Sequence, residues 1–181
     1  MSKEEAITKL IPIFRQYGYE GTTLSMLSKA TGLGKASLYH HFPKGKEGMA
    51  AAVMDYIGSY FSVKVLNPLK KQGKPEQKIQ GMCESLKEFY REGKDGCFLA
   101  IMSFGEADNL FHQQVKQRLQ IWIDILAQVL IEAGIEPEQA KLRSQDGIIQ
   151  IQGALVLVRI LDDTAPFERV VATLAEQLLK A

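Results

Sequence analysis

The chain has 181 residues, 46% of them hydrophobic and 24% charged, with a formal net charge of +1. That length holds one or two small domains with a proper core, and the composition is that of a globular protein. No apolar run approaches the roughly 20 residues of a membrane span, and the opening MSKEEAITKL lacks the charged-then-apolar order of a signal peptide, so a cytoplasmic protein is expected. Two cysteines, Cys83 and Cys97, do not make a disulfide framework and are expected as thiols. Charge is unevenly spread. Residues 1–48 hold seven Lys/Arg against four Asp/Glu, while the remainder holds 15 basic and 17 acidic residues. A basic N-terminal portion on a slightly acidic body is the asymmetry of a DNA reader.

Almost every segment reads helical. Lys3 to Tyr17 places Ile7, Leu10, Ile11 and Phe14 on one face, and Gly18 stops it. Thr22 or Thr23 is a good N-cap for a second helix, in which Leu24, Leu27 and Ala30 face a core. Thr31-Gly32-Leu33-Gly34 breaks the pattern as a tight turn. A third helix follows from Lys35 to His41, with Leu38 and Phe42 buried together four residues apart. Its remaining surface carries Lys35, Ala36, Ser37, Tyr39, His40 and His41. That short, cationic, donor-rich face suits a DNA major groove. A long helix runs from Lys46 to about Leu66, ended near Pro68, and residues 67–75 form a polar connector. Pro75 opens a helix running to about Glu92, with Gly93 as its stop. Cys97 to Phe104 reads as one or two helical turns, and Asn109 to Ala133 as a long helix. Pro137 opens a helix to about Leu161, and Asp163 or Thr164 caps the last one. No alternating β-rich run is bounded by hairpin signals, so the expected class is all-α with about nine helices.

The string Leu38-Tyr39-His40-His41-Phe42, followed by Lys46-Glu47 opening a long helix, resembles the DNA-binding region of TetR-type transcriptional repressors. The fuller segment SLYHHFPKGKEGM is similar to a subgroup with one extra residue between the Phe and the Lys. Gly48 stands where the family has a better helix former, a change worth up to about 1 kcal/mol in the first turn of the fourth helix. The resemblance implies a three-helix head with a helix-turn-helix over residues 1–46. Residues 47–181 would then be a helical ligand-binding and dimerisation domain.

Helix N-termini offer free N–H groups to phosphate, which suits Thr23 and Lys46. Tyr39 and His41 can donate to phosphate as well. Lys35, Ala36, Ser37 and His40 are better placed for base edges, since lysine suits guanine and a small apolar group suits the thymine methyl. The family assigns the same division. It implies a dimer binding a palindromic operator and released by a small apolar effector. Ile148 to Val158 is apolar nearly all round and must be covered on both sides. The resemblance implies that this helix and the last one pair with their copies in a dimer interface of Ile148, Gln152, Leu155, Val156, Arg159, Phe167, Val170, Val171, Leu174 and Leu178; the alternative is that both helices complete one monomer's core. Candidate effector-lining residues on the middle helices are Met82, Leu86, Phe89, Phe98, Met102, Phe104 and Trp122, a pliable mixture of methionine and aromatic side chains.

Two alternatives stay open. One is a thiol-reactive sensor using Cys97, which follows Gly96 at a helix start; the other is a helical protein-interaction module without DNA binding. Enzyme readings fare poorly. The histidines are His40, His41 and His112, and adjacent helical side chains point about 100° apart, so His40 and His41 do not readily share a metal. No phosphate-binding loop or nucleophile elbow is present, and no cofactor is expected.

Overall fold

A computed structural model describes residues 1–180, and every regular element among them is helical. The order is α1 (Lys3–Gly21), α2 (Leu24–Thr31), α3 (Lys35–His41), α4 (Gly45–Phe61), a π-helical turn (Ser62–Leu66) and α5 (Asn67–Lys70). Then come α6 (Pro75–Phe89), α7 (Phe98–Ile101), α8 (Gly105–Glu132), α9 (Pro137–Leu161) and α10 (Ala165–Leu179). Because α4, the π turn and α5 run on without a break, the described residues form nine separate helical runs, as the sequence pattern predicts.

Two compact units result. The first comprises residues 1–59 and 98–116. Its centre is Ala6, Leu10, Phe14, Leu27, Leu38 and Phe42, all buried. α1 starts with a full capping box. Ser2 Oγ accepts from Glu5 N at 3.1 Å and the Glu5 carboxylate accepts from Ser2 N at 2.6 Å. Gly18, with φ 66° and ψ −173°, breaks α1 at the predicted place. Thr23 Oγ1 accepts from Met26 N at 3.2 Å, which caps α2, and Gly32 ends α2 in the left-handed region. Leu27 is fully buried, whereas Leu24 and Ala30 are half-buried.

The second unit comprises residues 60–97 and 117–181. There α10 packs on α6 and α9, and α5 packs on α6. Ile79, Met82, Leu86, Leu126, Leu130, Phe167 and Leu174 fill its centre. Ser144 Oγ, fully buried, donates to Ile123 O at 2.8 Å and ties α9 to the second half of α8. Arg143 Nη1 donates to Leu178 O at 3.0 Å, at the end of α10.

Three boundaries differ from the pattern-based expectation. The connector at 67–75 is in part helical, because Pro68 falls in the first turn of α5, where its missing N–H is not needed. α6 stops at Phe89, three residues early. Arg91 and Glu92 adopt left-handed backbone, and Glu92 N donates to Lys87 O at 2.8 Å. α8 begins at Gly105, four residues early, because its N-terminus is capped from a distant residue, Glu20.

Candidate nucleic-acid interface

α3 is oriented by its one buried side chain. Leu38 is fully buried, as is Phe42, which follows the helix. Lys35, Ala36, Ser37, Tyr39 and His40 are exposed, and His41 is half-buried. The burial of Leu38 alone thus turns four potential base-edge groups outward on one seven-residue helix. The His40 and His41 rings lie 5.7 Å apart at 67°, so the two imidazoles diverge. Thr23, at the head of α2, is exposed, but its hydroxyl already serves as the N-cap acceptor. Its O–H stays available to donate to an anion.

Tyr39 is 46% exposed and is shaped from beneath. Gly45 has φ +60°, and a Cβ there would come within 3.1 Å of the Tyr39 ring. Glycine at 45 therefore meets two demands together, a left-handed turn into α4 and room for the tyrosine ring. Pattern reading missed Gly45 as part of the interface, since its signal is the spacing of a glycine six residues after Tyr39, which means nothing until the turn is folded.

Lys46 is not a free surface cation. Its Nζ donates to Tyr19 O at 3.0 Å and lies 4.2 Å from the centre of the Tyr19 ring. The ammonium thus caps the C-terminal end of α1 and makes a cation–π contact. Lys44, two residues earlier and exposed, is a cation the pattern reading left out; it lies 3.5 Å from Glu47. Tyr19 in turn packs edge-on against Phe111 of α8 at 5.9 Å, and burial raises its phenol pKa. Glu20, the next residue, accepts from Glu106 N at 2.6 Å and Ala107 N at 3.3 Å. Hydrogen bonds from backbone N–H groups, its own first and then those of Ala107 and Glu106, hold the Glu20 carboxyl below its ordinary range. A carboxylate at a helix N-terminus also meets the positive end of the dipole.

The candidate effector residues fall in different units. Met82, Leu86 and Trp122 are buried in the second unit and Phe89 is half-buried there. Phe98 and Met102 are buried in the first unit, whereas Phe104 is 72% exposed. A neighbour that pattern reading did not select, Phe61, lies edge-on to both Trp122 and Phe89, at 4.9 and 5.0 Å. Cys97 is buried, and burial pushes the Cys83 thiol up to about 12.

Of the candidate interface residues, Ile148, Leu155, Phe167, Val171, Leu174 and Leu178 are buried by this chain's own helices. Gln152 and Val170 are half-buried, while Val156 and Arg159 are exposed. Beside Val156 the outward face of α9 also shows Ile149, Leu157 and Ile160, with Ile149 66% and Ile160 70% exposed.

Residues 75–173 match the model for the C-terminal domain of LmrA/YxaF-like transcriptional regulators, and residues 11–53 match that for TetR-family bacterial regulatory proteins. The chain is 25% identical to the HTH-type transcriptional regulator LmrA of Bacillus subtilis over 170 residues, covering 91% of this chain and 90% of LmrA. It is 31% identical over 90 residues to IcaR of Staphylococcus aureus strain Newman, a negative regulator of a biofilm operon, covering 48% of this chain and 45% of IcaR. Its fold is similar to the crystal structure of a TetR transcriptional regulator from Legionella pneumophila, with a TM-score of 0.84 at 20% identity, over 98% of this chain and 97% of that one. No helix among the described residues is long and apolar enough to cross a membrane. With residues 11–53 and 75–173 matched by family models, this protein belongs to the TetR family of transcriptional regulators, which bind DNA and are not enzymes.

Proposed function

We propose that the chain is a repressor that binds a palindromic operator as a homodimer and leaves it when a small, largely apolar effector binds. The observation that carries the DNA half is the outward face of α3, where Leu38 is buried and Lys35, Ala36, Ser37 and His40 are exposed together. In this reading residues 1–46 read the operator and residues 47–181 hold the effector and the partner copy. Lys35 takes a guanine edge, and Ala36 lies against a thymine methyl. Tyr39, His41 and the N-terminus of α2 at Thr23 hold phosphates. Lys46 supports them by fixing the end of α1, since its Nζ is already bonded to Tyr19 O. Exposed Lys44 adds a phosphate contact.

The dimer half rests on the uncovered strip of α9. Ile149, Val156, Leu157 and Ile160 are exposed on a helix whose other side is buried against its own unit. A second copy laying the same strip against it makes a two-fold interface. Two heads held in that way match two half-sites of a palindrome. Selection of bound duplexes from a random library by the purified chain tests the reading. The expected product is an enriched palindrome bound by two chains. Enrichment of no duplex, or binding by a single chain, refutes it.

A further inference from the structure

The Trp122 indole is the second unit's most unusual group. It is 1% exposed, yet its Nε1–H has no hydrogen-bond partner. Buried indole N–H groups ordinarily find an acceptor, and leaving one unmade carries a desolvation penalty. The rings around it form a series. Phe61 lies edge-on to Trp122 at 4.9 Å, Phe89 lies edge-on to Phe61 at 5.0 Å, and Tyr60 stacks on Phe89 at 6.0 Å. Exposure rises along the series. Trp122 is buried, Phe61 and Phe89 are half-buried, and Tyr60 is exposed. The ring series thus runs from the buried indole to exposed Tyr60.

The backbone beside it is irregular as well. Ser62–Leu66, directly after Phe61, forms a π-helical turn. Such turns cost regular hydrogen-bond geometry and recur at functional sites. The turn begins at the residue after Phe61, whose ring lies against Trp122.

We propose that Trp122 Nε1–H is the specificity-determining donor of an effector site, and that Phe61 and Phe89 form its walls. The inference rests on the effector-released reading above. It assigns a ligand class as follows. Indole nitrogen donates and cannot accept, so the ligand brings the acceptor, a carbonyl oxygen or a ring nitrogen. Phenyl walls favour a flat ring body in edge or offset contact. A formal charge seated there would be desolvated without compensation, so the ligand is neutral. The ligand is a neutral, flat ring compound with an acceptor at its edge.

The test uses the purified full chain and two probes of like shape, 2-acetylnaphthalene and 2-isopropylnaphthalene, of which the first alone carries an acceptor. Trp122 is the single tryptophan, so one indole N–H signal appears in a ¹⁵N correlation spectrum. The acetyl probe is expected to bind about tenfold more tightly in equilibrium dialysis, the value of one hydrogen bond. It should also move the indole signal downfield, which the isopropyl probe should not do. In Trp122→Phe the preference should vanish while both probes still bind. If that variant fails to fold, the wild-type indole signal decides alone. Equal binding of the two probes to the wild type, a preference that persists in Trp122→Phe, or no binding of either probe overturns the donor assignment. Release of selected operator DNA is read separately. An acetyl probe that shifts the indole signal and leaves DNA affinity unchanged upholds the site and overturns the effector-release reading instead.

Discussion

The outward faces of α3 and α9 are both helix surfaces that the chain's own packing leaves open, and they differ in chemistry. α3 shows Lys35, Ser37, Tyr39 and His40 to solvent, and α9 shows Ile149, Val156, Leu157 and Ile160. Water satisfies the first face as well as any partner does, so an unoccupied α3 carries little penalty. Water does not satisfy the second face, where each exposed Å² of apolar surface forgoes about 25 cal/mol. A face of the first kind can bind and release a polar partner as conditions change. A face of the second kind calls for a lasting apolar partner. In the proposed reading DNA takes the one and a second copy of the chain takes the other.

The largest effect is expected where the α9 face is spoiled. Val156→Glu with Ile160→Glu changes two exposed side chains, so the fold should survive, with a circular dichroism spectrum like that of the wild type. The variant should sediment as a monomer and lose operator affinity by about 100-fold or more, the scale of a lost second attachment. Leu155→Glu, one position away and buried, should instead unfold the chain, because a charge would be placed in its core. An intact dimer in the double variant breaks the comparison on the α9 side.

Changes on α3 come next. Lys35→Ala should alter preference at one base position by about 1–3 kcal/mol, read by repeating the duplex selection. Tyr39→Phe should weaken all sequences alike and leave the slope of log affinity against log salt nearly unchanged, because the phenol it removes is neutral. Lys46→Ala sharpens the contrast. Because its ammonium is bonded to Tyr19 O and sits over the Tyr19 ring, the melting temperature should fall as well, which Tyr39→Phe should not cause. Unchanged DNA affinity in all three variants removes α3 from the interface.

The Glu20 cap at the start of α8 lies in the same unit as α3, and its loss should lower the stability of that unit. Gly105 has φ +60°, and a Cβ there would overlap the Glu20 carboxylate. Gly105→Ala should therefore cost about 1–2 kcal/mol from backbone strain alone, plus the displaced cap, seen as a lower melting temperature. Glu20→Gln is gentler and depends on pH. The folded-state pKa of Glu20 lies below its ordinary value of 4.5, so its contribution is present above pH 4.5 and is lost as pH falls through the folded value. The gap in melting temperature between wild type and Glu20→Gln should accordingly close below that window. A gap independent of pH would mean that the carboxylate charge plays no part in the cap.

The smallest effect is expected at Cys83. With its thiol pushed up to about 12 by burial, very little thiolate exists at pH 8. Iodoacetamide should label it far more slowly in the native chain than in urea. Rapid native labelling would mean that the second unit opens readily, and would weaken the case for α9 as a face on a firm support.

Much of this was legible in the chain because its signals are local. Thr23, Gly32, Pro75 and Pro137 act within about one helical turn of themselves, and each marks a helix end where expected. The α3 face follows from Leu38 and Phe42 being the apolar pair of that short helix. Other features depended on partners far along the sequence. α8 starts at Gly105 because Glu20, 86 residues before Glu106, caps it. The bond from Lys46 Nζ to Tyr19 O likewise depends on a residue 27 positions earlier. Phe61 escaped notice among the aromatic residues of a long helix until its ring was seen against Trp122.

Helix content, the tight turn before α3 and the polarity of its open face were determined by the sequence itself. Caps, glycines and apolar spacing act through covalent neighbours, and those do not wait for folding. Which side of α9 stays open was decided only by tertiary structure. That helix is apolar nearly all round, so its pattern names no inward face. The close approach at Gly147, where a Cβ would stand 3.2 Å from the Leu178 side chain, seats α10 against one side. Ile148 and Leu155 are buried, and Ile149, Val156 and Ile160 are left outside. Burial is a property of pairs of surfaces, and a sequence pattern specifies a face only where polar residues mark the opposite side.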